Sequence, residues 1–115
     1  MHEYSLTLNL LEIVEEEGKK NNAKKITKIK LKIGKFSGVE PLLISHSFEI
    51  LKKGKKLFED AILEIEREEP ELRCTNCGKI FTSLDFPFIC PECGNIYNEM
   101  IKGSDMIIER IEMEI

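Results

Sequence analysis

Four cysteines in two close pairs are the strongest chemical signal in this sequence. The pairs are Cys74 and Cys77, then Cys90 and Cys93, with twelve residues between them. A glycine directly after each pair lets the backbone turn tightly, so that amide N–H groups can point at the sulfur atoms. Four thiolates in a tetrahedral array select Zn(II). In a reducing compartment the spacing therefore predicts an all-cysteine zinc site rather than disulfides.

The chemistry expected of this site is structural. Four thiolates fill a tetrahedron and leave no position for a water molecule, which argues against hydrolytic zinc chemistry. The cysteine pairs also look like those of rubredoxins, although a twelve-residue spacer is short for that fold. An iron centre is the alternative, and it would colour the protein red.

The first three residues, Met1-His2-Glu3, form a second candidate metal site. The terminal amine, the amide nitrogen of His2 and its imidazole lie within chelating reach of one ion, and the amide of Glu3 could complete a plane of four nitrogens. Ni(II) and Cu(II) favour such square-planar nitrogen coordination. Imidazole binds metal only when neutral, so nickel affinity should fall as the pH drops through about 6.5. Taken alone, a histidine at position 2 is usually just an exposed terminal residue.

Two other polar residues have simpler structural interpretations. His46 lies in the middle of a predicted helix, and we expect a surface or core-edge histidine there rather than a further metal ligand. Glu40 could accept a hydrogen bond from the nickel site, but a capping role at the start of the same helix explains it better.

Size and charge limit the class of protein. The chain has 115 residues, 42% of them hydrophobic, and a net charge of -4. This length allows one compact unit or two very small ones. No apolar run approaches a membrane span, and the start of the chain lacks the pattern of a signal peptide. We therefore expect a cytoplasmic protein with no membrane partner.

Nucleic-acid binding is the alternative function, because many zinc ribbons bind it. Residues 72–102 carry three basic and three acidic side chains, however, whereas phosphate binding needs a basic surface. Four aromatic residues could stack on bases, but in so small a segment we expect them to form its core. They are Phe81, Phe86, Phe88 and Tyr97.

The segments that must position these candidate sites are two helices and three strands. Helical periodicity over residues 3–17 predicts a first helix that ends at Gly18. Alternation from Lys25 to Ile33 predicts a strand. A second helix runs to about Leu51, and its cap is either Ser37, by capping-box spacing, or Glu40, with Pro41 at the first helical position.

Two later strands, residues 61–67 and 106–115, enclose a segment of different character. In the last strand we expect the inward residues to be Ile107, Ile111, Met113 and Ile115. The two strands can pair only if the ends of the intervening segment lie close together. The sequence thus predicts a discontinuous α/β domain, residues 1–70 and 105–115, and a zinc-binding domain, residues 71–104.

Taken together, these features resemble the HypA family of nickel metallochaperones, which act in the maturation of nickel-iron hydrogenases. The matching features are Met1-His2-Glu3 at the start of a helix, the stretch IGKFSGVEP from Ile33 to Pro41, Phe48-Glu49, the cysteine pairs and the short closing strand. The resemblance covers nearly the whole chain, and this combination is far more specific than any single motif.

The resemblance implies an α+β protein, with a three-stranded sheet, two helices and an inserted zinc-ribbon-like lobe. Through the N-terminus and His2 it would hold Ni(II) as transient cargo, with Glu3 tuning binding or transfer, while Cys74, Cys77, Cys90 and Cys93 hold structural Zn(II). The protein would not be an enzyme. It would pass nickel, with a GTPase or ATPase called HypB, to the hydrogenase large-subunit precursor, and some members also serve urease maturation factors. No nucleic-acid partner is expected.

Overall fold

A computed structural model describes residues 2–83 and 86–115 and shows helices and two small sheets within them. The helices are α1 (Glu3–Lys20), α2 (Pro41–Leu51) and a short 3-10 helix (Lys56–Phe58), and the strands are β1 (Lys25–Gly34), β2 (Ile62–Glu68), β3 (Glu71–Cys74), β4 (Ile80–Thr82), β5 (Asn98–Lys102) and β6 (Met106–Glu114). The first sheet has the order β2-β1-β6 and the second the order β4-β3-β5. This architecture confirms the α+β class and the separate cysteine-bearing segment.

Helix α1 is longer than the sequence suggested. Gly18 does not end it, because the helix continues to Lys20. Gly18 is buried, and a Cβ atom placed there would lie 3.4 Å from Ile26 and 3.6 Å from Leu57. A methyl group there would make ordinary van der Waals contacts, so α1 passes close to β1 and the 3-10 helix without requiring glycine at this position.

Strand β1 is the centre of the first sheet. Its inward residues, Ile26, Ile29, Leu31 and Ile33, are all fully buried. The step from Ile26 to Ile29 breaks the two-residue period, and a register irregularity in the pairing with β6 lies at that step. A bulge of this kind adds a residue and so restores the next side chain to the inner face.

Strands β2 and β6 lie on either side of β1. They therefore do not pair with each other, although the sequence analysis had allowed for that pairing. β2 is parallel to β1, and β6 is antiparallel to it. Parallel neighbours need a crossover connection. Here α2 and the 3-10 helix supply it, and α2 contributes the buried Ile44 and Phe48 to the core.

The inward face of β6 differs from the prediction. Ile108 packs against the core, whereas Ile107 and Ile115 are exposed. Leu31 of β1 pairs with Ile108, and Lys30 pairs with Arg110, so that Glu109 is an extra residue in the ladder. The alternation therefore shifts by one residue at this bulge, which reverses the faces on its N-terminal side.

Helix α2 begins as one of the two predicted alternatives. Glu40 is its N-cap and accepts a hydrogen bond from the amide of Leu42 at 3.3 Å, with Pro41 in the first helical turn. Ser37 does not cap the helix, because its hydroxyl donates to the carbonyl of Gly34 at 2.7 Å and accepts from the amide of Val39.

The outer face of the first sheet carries a ladder of opposite charges. Lys28 lies 3.0 Å from Glu64, and Lys30 lies 3.4 Å from Glu66. The pKa of Glu64 is lowered, first by the hydrogen bond from Lys28, and the pKa of Lys30 is raised, first by the bond to Glu66. The basic run of β1 and the acidic run of β2 thus neutralise each other locally.

The second sheet and the two cysteine turns form what we call the cysteine lobe, residues 71–102. Leu72 and Phe81 are buried in it with two of the cysteines, and Phe88 packs against them. The other two aromatic residues assigned to its core are instead exposed, since Phe86 is 80% and Tyr97 is 75% accessible. Only half of that prediction was right, because so small a lobe encloses little volume.

Three chain segments meet where the cysteine lobe joins the first sheet. A Cβ atom at Gly34 would lie only 2.1 Å from the carbonyl oxygen of Gly103, so the two backbones are in direct contact. The amide of Phe36 donates to that same carbonyl at 2.9 Å. The ring of Phe36 also packs edge-on against Phe88 of the cysteine lobe, with centroids 5.2 Å apart.

Substituting Gly34→Ala should lower the free energy of unfolding by about 1–3 kcal/mol or more, because the added methyl group would overlap backbone atoms that cannot rotate away. Gly18→Ala is the matched control, since its new methyl group would meet no atom closer than 3.4 Å. Urea unfolding followed by circular dichroism measures both. Equal stability of the two variants would contradict the close contact.

Candidate metal centre

The four cysteine sulfurs converge at one end of the cysteine lobe. All four Sγ atoms lie within 4.8 Å of one another. Two of the separations are 3.5 Å, between Cys74 and Cys93, and 3.6 Å, between Cys77 and Cys90. Cys74 and Cys90 are buried, whereas Cys77 and Cys93 are exposed. The cluster therefore has one side against the lobe and one side toward solvent.

Both cysteine pairs lie on turns with the same hydrogen bonds. In the first turn the amide of Gly78 donates to the carbonyl of Cys74 at 3.0 Å, and in the second the amide of Gly94 donates to Cys90 at 2.9 Å. Both glycines have positive φ angles, 79° and 75°, which other residues adopt only with strain. This explains why a glycine follows each pair.

Backbone and side-chain donors stabilise one thiolate in particular. The pKa of Cys74 is lowered to about 6, first by the amide of Cys77 and then by the amide of Asn76 and the side chain of Asn95. The pKa of Cys77 is instead raised to about 12: the amide of Lys79 lowers it, but burial and the neighbouring sulfurs outweigh that effect.

Four sulfurs this close cannot all carry negative charge unless a cation compensates them. Thiolates are soft ligands, and four of them in one cluster suit Zn(II), for which the all-cysteine set is a common structural site. The donor set therefore fits a resident zinc ion.

Two asparagine side chains also contact the sulfurs, and nothing in the sequence pattern predicts these contacts. Asn76 Nδ2 lies 3.6 Å from the Sγ atom of Cys93, and Asn95 Nδ2 lies 3.7 Å from that of Cys74. Both residues are near a cysteine in sequence, but only the fold shows which sulfur each one reaches.

The second candidate site lies at the start of α1, far along the sequence from the cysteines. His2 is exposed and immediately precedes the helix, and its carbonyl accepts the first helical hydrogen bond from Leu6 at 2.8 Å. Met1, whose amine was assigned to the nickel site, lies outside the described residues. A cavity of about 330 Å³ adjoins His2. It is lined by His2, Glu3, Leu6, Ser37, Gly38 and Val39.

Glu3 connects the starts of the two long helices. It is buried, with 6% of its surface exposed, and its Oε2 atom accepts a hydrogen bond from the amide of Glu40 at 3.0 Å. Thr7 donates to the carbonyl of Glu3 at 2.7 Å. The pKa of Glu3 is lowered to about 2, chiefly by the charged N-terminus of the chain and next by the Glu40 amide. Glu3 is therefore an ionised anchor beside His2.

His46 is exposed on α2, in line with the surface role expected for it. Within the described residues, the four cysteines are the one place where three or more metal-binding side chains converge. The same part of the chain contains no helix with the length and hydrophobicity needed to cross a membrane.

These features define a small α+β metal-binding protein, in which two turns beside the second sheet carry a four-cysteine cluster and a histidine immediately precedes the first helix. The sequence matches the profile of one family over residues 1–113, described as "Hydrogenase/urease nickel incorporation, metallochaperone, hypA". The chain belongs to the HypA family and is therefore a nickel metallochaperone of hydrogenase maturation.

Proteins similar to this chain match it over nearly their full lengths. The hydrogenase maturation factor HypA of Aquifex aeolicus is 37% identical over 115 residues, covering 100% of this chain and 99% of that protein. The HypA protein of Moorella thermoacetica is 39% identical, covering 99% of this chain and 100% of its own length. The solution structure of the Ni metallochaperone HypA from Helicobacter pylori superimposes with a TM-score of 0.76 at 32% identity, over 99% of this chain and 98% of that one.

Replacing Glu3 by Gln should lower the melting temperature of the nickel-free protein at pH 7. Because the pKa of Glu3 is lowered from 4.5 to about 2, its charge stabilises the fold above about pH 4.5 and ceases to do so as the pH falls toward about 2. The melting temperatures of native protein and variant should therefore converge on acidification.

Both proteins carry the same four cysteines, so the difference between them isolates residue 3. Glu16→Gln, on the exposed side of α1, should change the melting temperature little. A gap between native protein and Glu3→Gln that is constant from pH 7 to pH 3 would show that the charge of Glu3 is not stabilising.

Proposed function

We propose that this chain binds Ni(II) as cargo through its N-terminus and delivers it for nickel-iron hydrogenase maturation. The ligands are the amine of Met1, the amide and imidazole of His2, and the amide of Glu3. The exposure of His2 at the very start of α1, in a chain of the HypA family, carries this proposal. Nitrogen donors of this kind satisfy the square-planar preference of Ni(II).

The position of the proposed site suits a carrier. An exposed chelate supplied largely by backbone can open toward a recipient, which favours exchange over permanent retention. Cu(II) should bind more tightly than Ni(II), so selectivity must come from metal availability and delivery.

Glu3 supports the site without acting as a side-chain ligand in this proposal. Its carboxylate accepts the hydrogen bond from Glu40, which ties the start of α1 to the start of α2. The neighbouring His2 then projects from a fixed helix end, while its own side chain stays exposed. The tuning role of Glu3 thus consists of holding the backbone that carries the nitrogen ligands.

The cysteine lobe is proposed to hold a structural Zn(II) through Cys74, Cys77, Cys90 and Cys93. The convergence of all four sulfurs within 4.8 Å supports these ligands. When bound, the ion neutralises the thiolates and holds the two turns together. The proposed domains are the α/β domain, residues 1–70 and 105–115, and the zinc-binding domain, residues 71–104.

As a metallochaperone the chain is proposed to act through protein contacts rather than catalysis. Its partners are the GTPase or ATPase HypB and the hydrogenase large-subunit precursor, with urease maturation factors as further recipients. The family description, which names hydrogenase and urease nickel incorporation, supports this assignment. All these steps are proposed to take place in the cytoplasm.

Calorimetric titration of tag-free, zinc-loaded protein should give one Ni(II) per chain. His2→Ala should lose this binding and keep its zinc, because the variant lacks the imidazole but retains all four cysteines. His46→Ala is the matched control, since it removes the other, exposed histidine on α2 and should bind nickel normally. Equal nickel binding by native protein and His2→Ala would refute the site.

A second test removes the terminal amine and leaves every side chain unchanged. Acetylation of the N-terminus, or a short peptide extension before Met1, should abolish the high-affinity nickel site, because the chelate loses one nitrogen. Zinc content, measured by elemental analysis, should not change. Unaltered nickel affinity after acetylation would mean that the amine is not a ligand.

A further inference from the structure

Two asparagines reach across the cysteine centre in opposite directions. Asn76 lies in the first cysteine turn, and its Nδ2 atom donates to Cys93 of the second turn at 3.6 Å. Asn95 directly follows the second turn, and its Nδ2 atom donates to Cys74 of the first at 3.7 Å. Each side chain therefore links one cysteine turn to a sulfur of the other.

Both donors are directed at the same pair of sulfurs. Cys74 and Cys93 are only 3.5 Å apart, and each of them accepts from one of the two asparagines. The other close pair, Cys77 and Cys90, has no side-chain donor outside the cysteines among the hydrogen bonds of the described residues. The hydrogen bonding around the centre is thus asymmetric.

Further hydrogen bonds hold Asn95 in place. Its Nδ2 atom also lies 3.0 Å from Thr75 Oγ1 and 3.1 Å from the carbonyl oxygen of Tyr97, so its two hydrogens are shared among three acceptors, Cys74 included. Its Oδ1 atom accepts from the amide of Tyr97 at 3.4 Å. Its own carbonyl accepts from the amide of Cys90 at 3.0 Å, which fixes the backbone of the second turn. A side chain held at both ends in this way can position a sulfur precisely enough to affect a bound metal.

We propose that Asn76 and Asn95 are positioning residues of the metal centre, which retain its ion by holding the sulfurs of Cys93 and Cys74. This inference rests on the proposed zinc site. An N–H donor withdraws charge from a thiolate and fixes its direction, and the loss of such outer partners typically weakens metal binding about 10–100-fold. The N–H donor also makes the sulfur less reactive toward electrophiles, because the thiolate is the nucleophile.

The two exposed ligands, Cys77 and Cys93, allow an internal comparison. Of these two, only Cys93 accepts a hydrogen bond from an asparagine side chain among the described residues. Cys77 accepts instead from the backbone amide of Lys79, so its alkylation rate in the zinc-loaded native protein serves as the internal reference. Loss of the Asn76 donor should raise the rate at Cys93 and leave the rate at Cys77 nearly unchanged.

The test compares Asn76→Ala, Asn76→Asp, Asn95→Ala and Asn98→Ala in the full, zinc-loaded chain. Asn76→Asp keeps the size of the side chain and removes its N–H donor. Asn98→Ala is the matched control, because Asn98 lies in the same lobe but donates to the carbonyls of Phe88 and Asn95 and not to sulfur. Zinc content and circular dichroism of each variant establish that the lobe is loaded and folded.

Two rates are measured at constant pH: zinc transfer to a chromogenic chelator, and N-ethylmaleimide labelling of each cysteine by mass spectrometry. Asn76→Ala and Asn95→Ala should transfer zinc about tenfold faster or more. In Asn76→Ala the labelling rate should rise selectively at Cys93. In Asn76→Asp that rate should be higher still, because the substitution adds a negative charge. Asn98→Ala should change zinc transfer less and show no selectivity for Cys93.

Unchanged rates of zinc transfer and labelling in Asn76→Ala and Asn95→Ala would overturn the proposal. It would also be overturned if these variants labelled all four cysteines uniformly, as Asn98→Ala does, because that pattern indicates general loosening of the lobe. If a variant takes up no zinc at all while Asn98→Ala is fully loaded, the positioning role is supported in its strongest form. Native protein without zinc would instead refute the proposed zinc site itself, so the two failures are distinguishable.

Discussion

The direct backbone contact between Gly34 and Gly103 is the constraint on which the rest of the structure depends. It joins the end of β1 to the segment between β5 and β6, so that the cysteine lobe leaves and rejoins the first sheet at one place. The amide of Phe36 donates to the carbonyl of Gly103 there. From this point the chain runs through Val39 to Glu40, whose amide is held by Glu3. One continuous segment therefore leads from the cysteine lobe to the helix that carries His2.

The two candidate metal sites differ in how far their ligands are enclosed and held in place. This difference matches what a retained metal and a transferred metal each need. The cysteine centre has two buried ligands, turns fixed by glycine and by hydrogen bonds, and asparagine donors to two of its sulfurs. The proposed nickel site consists of an exposed imidazole and backbone nitrogens at a helix end. Within this region the side chain of Glu3 is buried and accepts a hydrogen bond from the amide of Glu40. Retention favours enclosure and preorganised ligands, whereas transfer favours access, and the HypA family performs transfer.

Local pairing explains most of the charge pattern of the sequence. The lysines of β1 and the glutamates of β2 are adjacent in the ladder, with Lys30 opposite Glu64 and Lys32 opposite Glu66. Lys25 and Asp60 add a pair at 2.6 Å, and the pKa of Asp60 is lowered by it. Exposed pairs contribute little individually. Their effect is to neutralise opposite charges locally on this face.

The sequence by itself determined the local features of this protein, because each follows from residues close together in the chain: the cysteine turns with their glycines, the Glu40 cap with Pro41, and most helix and strand positions. Only the tertiary structure decided what depends on partners distant in sequence. The bulge at Glu109 exchanged the faces of Ile107 and Ile108, helix α1 continued through Gly18 to Lys20, and β1 came to lie between β2 and β6. The tertiary structure also decided which sulfurs Asn76 and Asn95 contact. Each hydrogen bond joins one cysteine turn to the other, so it depends on how the two turns are placed in space, which the residue spacing within one turn cannot specify.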